Sequence, residues 1–128
     1  MKNIIDLFAG VGGFSAGFEM AEYKTVFALE KDEWDAQTYQ QNHKNTLVST
    51  VDIRKFSDLE VKNLLKKYEK IERIIAEPPC QSFSYVKKNK ELKERGKMFL
   101  HFVNFLERLQ PKMFLFENVK GLFSHNKG

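Results

Sequence analysis

A chain of 128 residues, 42% hydrophobic and 30% charged, is long enough for one domain with its own core and too apolar for a disordered segment. Its formal charge of +4 permits an anionic partner without requiring one. The single cysteine excludes a disulfide framework or a multi-cysteine zinc centre within the chain. No stretch approaches the apolar length of a membrane span, and Met1-Lys2-Asn3-Ile4-Ile5-Asp6 lacks the run of a signal peptide, so a soluble protein in a reducing, intracellular setting is expected.

Asn3 to Phe8 is a short apolar run broken by Ala9-Gly10-Val11-Gly12-Gly13, which predicts a buried strand and a Gly-rich turn. Phe14 to Ala21 has helical spacing, with Phe14, Gly17, Phe18 and Ala21 on one side. Thr25 to Glu30 reads as a second strand, and Asp32 as the cap of a helix to about Asn42 that carries Trp34 and Tyr39. Thr46 to Val51 is a weaker third strand, closed by Asp52-Ile53. Ser57 and Glu60 are in capping-box register before a helix with Leu59, Val61, Leu64, Leu65 and Tyr68 on its apolar side. Arg73 to Ala76 is a fourth strand, ended by Glu77-Pro78-Pro79. Gln81 to Lys97 is polar, lysine-rich and read as irregular. Met98 to Leu109 is an amphipathic helix stopped before Pro111, and Met113 to Phe116 a fifth strand ending at Glu117-Asn118. The twelve phenylalanines predict an aromatic core.

Strands alternating with helices predict an α/β fold: a doubly wound, mostly parallel sheet with helices on both faces, in one domain over residues 1–128. Ligands of such sheets gather at the carboxyl ends of the strands, near the switch point in strand order. Those ends carry Asp6 to Gly13, Glu30, Asp52, Glu77 to Cys80, and Glu117-Asn118.

Gly10, Gly12 and Gly13 let a backbone approach a ligand closely. Ser15 stands where the dinucleotide pattern G-x-G-x-x-G needs glycine. Glu30 at a strand end can accept bonds from both hydroxyls of a ribose, or be a solvated acid beside Lys31. Asp52 can accept from an adenine amino group, or cap the turn before Arg54. Pro78-Pro79 fixes the backbone ahead of Cys80, whose thiolate would be the working form. Glu117 closes a core strand with a carboxyl group able to hold or protonate a ring nitrogen. His43, His101 and His125 read as surface or satisfied histidines rather than bases.

Together these residues resemble the bacterial-type DNA cytosine-5 methyltransferases. Asp6-Leu7-Phe8-Ala9-Gly10-Val11-Gly12-Gly13-Phe14 is similar to that family's S-adenosylmethionine-binding motif. Glu30 and Asp52 fall at its ribose and adenine contacts. Pro78-Pro79-Cys80-Gln81-Ser82-Phe83-Ser84 resembles its nucleophile motif, and Glu117-Asn118-Val119-Lys120-Gly121-Leu122 its Glu-Asn-Val motif. Glu77 departs from it, standing where the family usually has a small residue. The family's later Gln-Arg-x-Arg motif, target-recognition region and closing segment do not follow, so the expected catalytic domain is incomplete.

The resemblance implies a Rossmann-like methyltransferase fold and transfer of a methyl group from S-adenosylmethionine to C5 of cytosine in DNA. Cys80 and Glu117 would be catalytic. The cofactor residues would be Asp6, Phe8, Ala9, Gly10, Gly12, Gly13, Glu30, Lys31, Asp52, Ile53 and Pro79, with no metal. Gln81, Ser84, Lys87, Arg95 and Asn118 would meet DNA. The expected partners are DNA and the missing C-terminal part, or a second polypeptide carrying it. The expected setting is a bacterial or phage-type cytoplasm, nucleoid-associated, within a restriction-modification system. Two other readings stay open from the residues. One is a non-catalytic or degenerate S-adenosylmethionine- or nucleotide-binding subunit. The other is a nucleotide-binding oxidoreductase, which leaves Cys80 and Glu117 unexplained.

Overall fold

The fold is seen in a computed structural model that describes residues 2–68, 70–77 and 89–117, apart from the side chains of 89–98. Its elements in chain order are β1 (Lys2–Leu7), α1 (Gly13–Met20), β2 (Tyr23–Leu29), α2 (Glu33–Asn42), β3 (Leu47–Ser49), a 3-10 turn (Ile53–Lys55), α3 (Asp58–Lys67), β4 (Arg73–Ala76), α4 (Asn89–Leu109) and β5 (Met113–Phe116). The alternation expected from the sequence is present, with shifts of one or two residues at the ends of β1, α1 and β2 and two larger differences. The third strand is only Leu47–Ser49. The segment read as irregular to Lys97 is helical from Asn89. Lys90-Glu91-Leu92-Lys93-Glu94-Arg95 is made of strong helix formers, with Glu91 and Arg95 four apart; polarity alone does not unmake a helix.

Two start signals work as read. Asp32 accepts a bond from the Asp35 N–H at 3.0 Å and caps α2. Ser57 and Glu60 form a reciprocal capping box on α3. Val61 and Leu64 carry the buried side of α3, whereas Leu59 and Leu65 are exposed.

The five strands run in the order β3-β2-β1-β4-β5, and every pair is parallel. Strand order reverses between β1 and β4, so the switch point lies where Phe8 to Gly13 leave β1 and Glu77 leaves β4. The Glu77 N–H reaches the Leu7 carbonyl at 3.4 Å, which keeps the two exits side by side. Side chains alternate across a strand. Ile5 and Leu7 of β1 therefore join Phe27, Ile74, Val61, Leu64, Phe102, Phe105 and Leu109 in the larger core. Asp6 faces the other way, toward α1 and α2, where Tyr39 packs with Ala9 and Ala28. Phe56 packs tilted against Phe105 at a centroid distance of 5.3 Å, and Phe102 against Phe116 at 4.9 Å, so the aromatic core is real. On the outer strand β5, Met113, Phe114 and Leu115 are 46 to 58% exposed.

Candidate functional site

The turn after β1 is held by an unusual backbone. Phe8 has φ +53°, Gly10 +57° and Gly12 +100°. Glycine populates this region freely; Phe8 does so only because its surroundings hold it. The Ala9 N–H donates to the Leu29 carbonyl at 3.1 Å, which ties the turn to β2. Glu30, the first residue past β2, does more. Its Oε1 accepts the Gly10 N–H at 2.8 Å and its Oε2 accepts the Asp32 N–H at 2.7 Å. One carboxylate thus clamps both the Gly turn and the approach to α2. Each oxygen keeps lone-pair capacity for a further donor.

Asp52 caps the 3-10 turn that follows β3. Its Oδ1 accepts from the Arg54 N–H at 2.9 Å and from Nε at 3.0 Å, and its Oδ2 accepts from Nη2 at 2.6 Å. These bonds hold its carboxyl down at about 2, with Arg54 and Lys31 adding charge in the same direction. The turn-capping role read for Asp52 is present in the structure, and the residue also borders the cleft.

A cleft of about 560 Å³ opens over these strand ends. It is lined by Phe8, Ala9, Gly10, Val11, Gly13, Leu29, Glu30, Lys31, Asp32, Asp35, Val51, Asp52, Ile53 and Glu77. The size suits a ligand of nucleoside scale. Apolar walls come from Phe8, Leu29, Val51 and Ile53. Glu30, Asp32, Asp35, Asp52 and Glu77 outnumber Lys31, so the field inside favours a cation.

Of the residues read from the sequence, Phe8, Ala9, Gly10, Gly13, Glu30, Lys31, Asp52 and Ile53 meet around this cleft. Asp6 does not: it is 1% exposed, and its carboxylate accepts from Ser15 below the turn. Gly12 is buried at the start of α1 and borders a shallower pocket with His43. Glu117 follows β5, and its N–H donates to the Ala76 carbonyl at 3.0 Å, which places it beside Glu77 at the next strand end. Burial raises the Glu77 carboxyl above its ordinary range, and the charge of Glu117 raises it further. Arg95 lies on α4. Pro79, Cys80, Gln81, Ser84, Lys87 and Asn118 lie outside the described residues. His43 is satisfied, as read: it is buried, with Nδ1 3.0 Å from Glu19 Oε1.

Asp32, expected only as a helix cap, and Asp35, not singled out in the sequence, also line the cleft; the rule that places ligands past strand ends reaches both from Glu30. The sequence reading missed Ser15 and Tyr39, for which no local signal exists. Among the described residues, no three His, Cys, Asp or Glu side chains are grouped to hold a metal ion, and no helix is long and apolar enough to cross a membrane.

The model of C-5 cytosine-specific DNA methylases matches residues 2–128. The chain belongs to that family. Its members similar to it include the type II methyltransferase M.DdeI of Desulfomicrobium norvegicum, 44% identical over 95% of this chain and 29% of the relative. Another is M.AquIA of a Picosynechococcus strain, 35% identical over 99% of this chain and 52% of the relative. A crystal structure assigned to a DNA modification methyltransferase of an Escherichia coli prophage superposes with a TM-score of 0.82, at 34% identity, over 99% of this chain and 36% of that one. The Dnmt2 methyltransferase of S. pombe, at 22% identity and a TM-score of 0.71, shares the fold. The methylase-family chain spans about a third of the length of most of these relatives.

Proposed function

We propose that this methylase-family chain is the cofactor-binding and nucleophile-bearing part of an enzyme that methylates C5 of cytosine in DNA. What supports this most directly is the convergence of the Gly turn, Glu30, Asp52, Glu77 and Glu117 on the carboxyl edge of one parallel sheet. The cleft fits S-adenosylmethionine: apolar walls for the adenine, carboxylates for the ribose hydroxyls, and an acid-rich field for the cationic tail. When bound, that cofactor supplies an electrophilic methyl group. In this reading Glu30 and Asp52 hold the nucleoside, with Phe8, Ala9, Gly10, Gly13, Lys31 and Ile53 around it, and Pro79 approaching from the nucleophile loop.

The Cys80 thiolate adds to C6 of a cytosine turned out of the duplex, which breaks the ring's aromaticity and makes C5 nucleophilic. Glu117 holds N3 and the exocyclic amine and relieves the negative charge that the addition places on the ring. C5 takes the methyl group, its proton is lost, and the thiolate leaves. Gln81, Ser84 and Asn118 surround the base, while Lys87 and Arg95 meet phosphates, which position the strand without reading its sequence.

The remaining part of the protein, in the same chain or in a second polypeptide, supplies target recognition and covers β5. That strand's exposed Met113, Phe114 and Leu115 are an apolar edge of the kind a further strand or helix buries. Relatives named type II methyltransferases support a role in the modification arm of a restriction system in the cytoplasm.

Methylation assays on the complete protein, with 5-methylcytosine as the readout, test the reading. The complete protein is expected to transfer, and the 128-residue chain alone is not. Absence of 5-methylcytosine from the complete protein, or turnover by the 128-residue chain, overturns the corresponding half.

Glu30→Ala tests the cofactor assignment. Hydrogen bonds to a carboxylate are worth about 1.5–3 kcal/mol, so calorimetry should show S-adenosylmethionine binding weakened about ten- to a hundredfold. Equal heats from the two proteins would remove Glu30 from the site.

A further inference from the structure

Beneath the cleft lies a buried chain of hydroxyls that the chemistry above does not use. Asp6 on β1, Ser15 on α1 and Tyr39 on α2 are 1%, 0% and 0% exposed. The Ser15 hydroxyl donates to Asp6 Oδ2 at 2.6 Å, and its oxygen lies 2.5 Å from the Tyr39 hydroxyl. A hydroxyl has one proton to give. With Asp6 ionised, Ser15 spends that proton on Asp6 and must accept from Tyr39, so the bonds run Tyr39 to Ser15 to Asp6.

The far end of this chain touches the Gly turn. A Cβ on Gly12 would lie 2.9 Å from Tyr39 Cδ2 and 2.5 Å from Nε2 of His43. The His43 ring stacks on Tyr39 at 4.4 Å. The Tyr39 ring is therefore pinned at its hydroxyl by Ser15 and braced on its face by His43, with its edge against the Gly12 backbone. β1, α1 and α2 are joined through the Ser15 hydroxyl.

We propose that Asp6, Ser15 and Tyr39 form a buried positioning relay that shapes the Gly10–Gly13 turn, and that the proton on Asp6 sets how tightly the cleft above holds its cationic cofactor. The proposal rests on the reading of that cleft as the S-adenosylmethionine site. Asp6 is a positioning residue in it, since its carboxylate touches Ser15 and not the cleft.

The groups facing Asp6 make its proton labile near neutrality. Burial pushes its carboxyl up to about 7, the Ser15 bond opposes that, and Glu77 past β4 and Glu30 past β2 add like charge. Tyr39 on α2 is itself pushed upward by burial and stays a neutral donor. When Asp6 takes a proton the bonds can reverse: Asp6 donates to Ser15, and Ser15 to Tyr39. The Tyr39 hydroxyl then needs another acceptor. Thr25 Oγ1, buried with no hydrogen-bond partner among the described residues, is the group that can take it, and Thr25 already acts on the Tyr39 hydroxyl to oppose its upward shift. Both directions are thus satisfiable, and the relay has two states. The ionised state adds a negative charge under a cleft that receives a cation, so it is the binding state. By reciprocity, the cofactor draws the proton off Asp6.

The test is the affinity for S-adenosylmethionine at pH 6, 7 and 8, by calorimetry on wild type, Asp6→Asn, Ser15→Ala and Tyr39→Phe. If only the ionised state binds, a group titrating near 7 makes binding about tenfold weaker at pH 6 than at pH 8. Asp6→Asn should lose that dependence and bind weakly throughout; the cofactor's own titration is common to both proteins. Ser15→Ala and Tyr39→Phe should bind more weakly and shift the midpoint. Thermal melts supply a second readout. The folded carboxyl lies above its unfolded value of 3.8, so the fold binds the extra proton and Asp6 lowers stability as pH rises from about 4 to about 7. Asp6→Asn should lack that slope. A wild-type pH dependence that Asp6→Asn retains, in binding and in melting, overturns the relay. Wild type that binds no cofactor at any pH overturns the cleft assignment instead.

Discussion

Cys80→Ser in the complete enzyme is expected to abolish methyl transfer while cofactor affinity stays near wild type. The glycine turn and its acids follow β1, β2 and β3, whereas Cys80 follows β4 in the chain. A serine hydroxyl is far less nucleophilic than a thiolate, and a nucleophile that acts as a unit with its partners is not partly replaceable. Losses on the order of 10⁴-fold or more are usual for such groups. DNA carrying 5-fluorocytosine should trap the wild-type enzyme, because fluorine at C5 cannot depart as the proton does. The adduct should survive denaturation and map to Cys80. Trapping by Cys80→Ser, or a label on another residue, would exclude the mechanism. Glu77 adds a second arm. Its carboxyl is raised by burial and by Glu117, it borders the cleft, and it stands three residues before Cys80 in the chain. A negative charge there opposes a thiolate, so Glu77→Gly is expected to leave trapping intact or speed it.

Most of the fold was legible because its signals are local. The Ser57 and Glu60 box needs only a spacing of three residues, and the Asp32 cap only its own turn. Arg73–Ala76 and Met113–Phe116 were bounded by Glu77-Pro78 and Glu117 in the sequence itself. Residues 89–97 were misread because polarity was taken for irregularity, when lysine, glutamate and arginine are good helix formers. The cleft was half legible. Strand ends mark where a site must lie, which gave Glu30 and Asp52, but not what each carboxylate does there. The double clamp of Glu30 on Gly10 and Asp32 depends on how β1 and β2 sit side by side. Asp6 was assigned to the cofactor because it opens the motif; alternation along β1 turns it to the α1 and α2 face instead. Ser15 looked like a departure from the dinucleotide pattern. In place, its hydroxyl is the partner that a buried Asp6 requires.

The second large effect is expected at Gly12. Its φ of +100° lies in a region closed to residues with a Cβ, and that atom would meet the ring of Tyr39 and the ring of His43 at under 3 Å. The left-handed backbone alone costs about 1–2 kcal/mol. The rings cannot move aside cheaply, because Tyr39 is held by Ser15 and His43 is tied to Glu19 at 3.0 Å. Gly12→Ala should therefore cost about 2–4 kcal/mol in stability and weaken S-adenosylmethionine binding by more than Glu30→Ala does. The neighbouring glycines are internal controls. Gly10 also has a positive φ, yet a Cβ there meets nothing within 4 Å, so Gly10→Ala should cost only the backbone strain. Gly13 has open space and an ordinary backbone, so Gly13→Ala should fold like wild type. The order of melting temperatures should be Gly13→Ala above Gly10→Ala above Gly12→Ala. Adding His43→Ala to Gly12→Ala should recover part of the loss, by removing one ring and leaving Tyr39 and the backbone strain. Equal melting of Gly12→Ala and Gly13→Ala would mean that the rings do not brace the turn, and the positioning relay would lose its point of contact with the cofactor cleft.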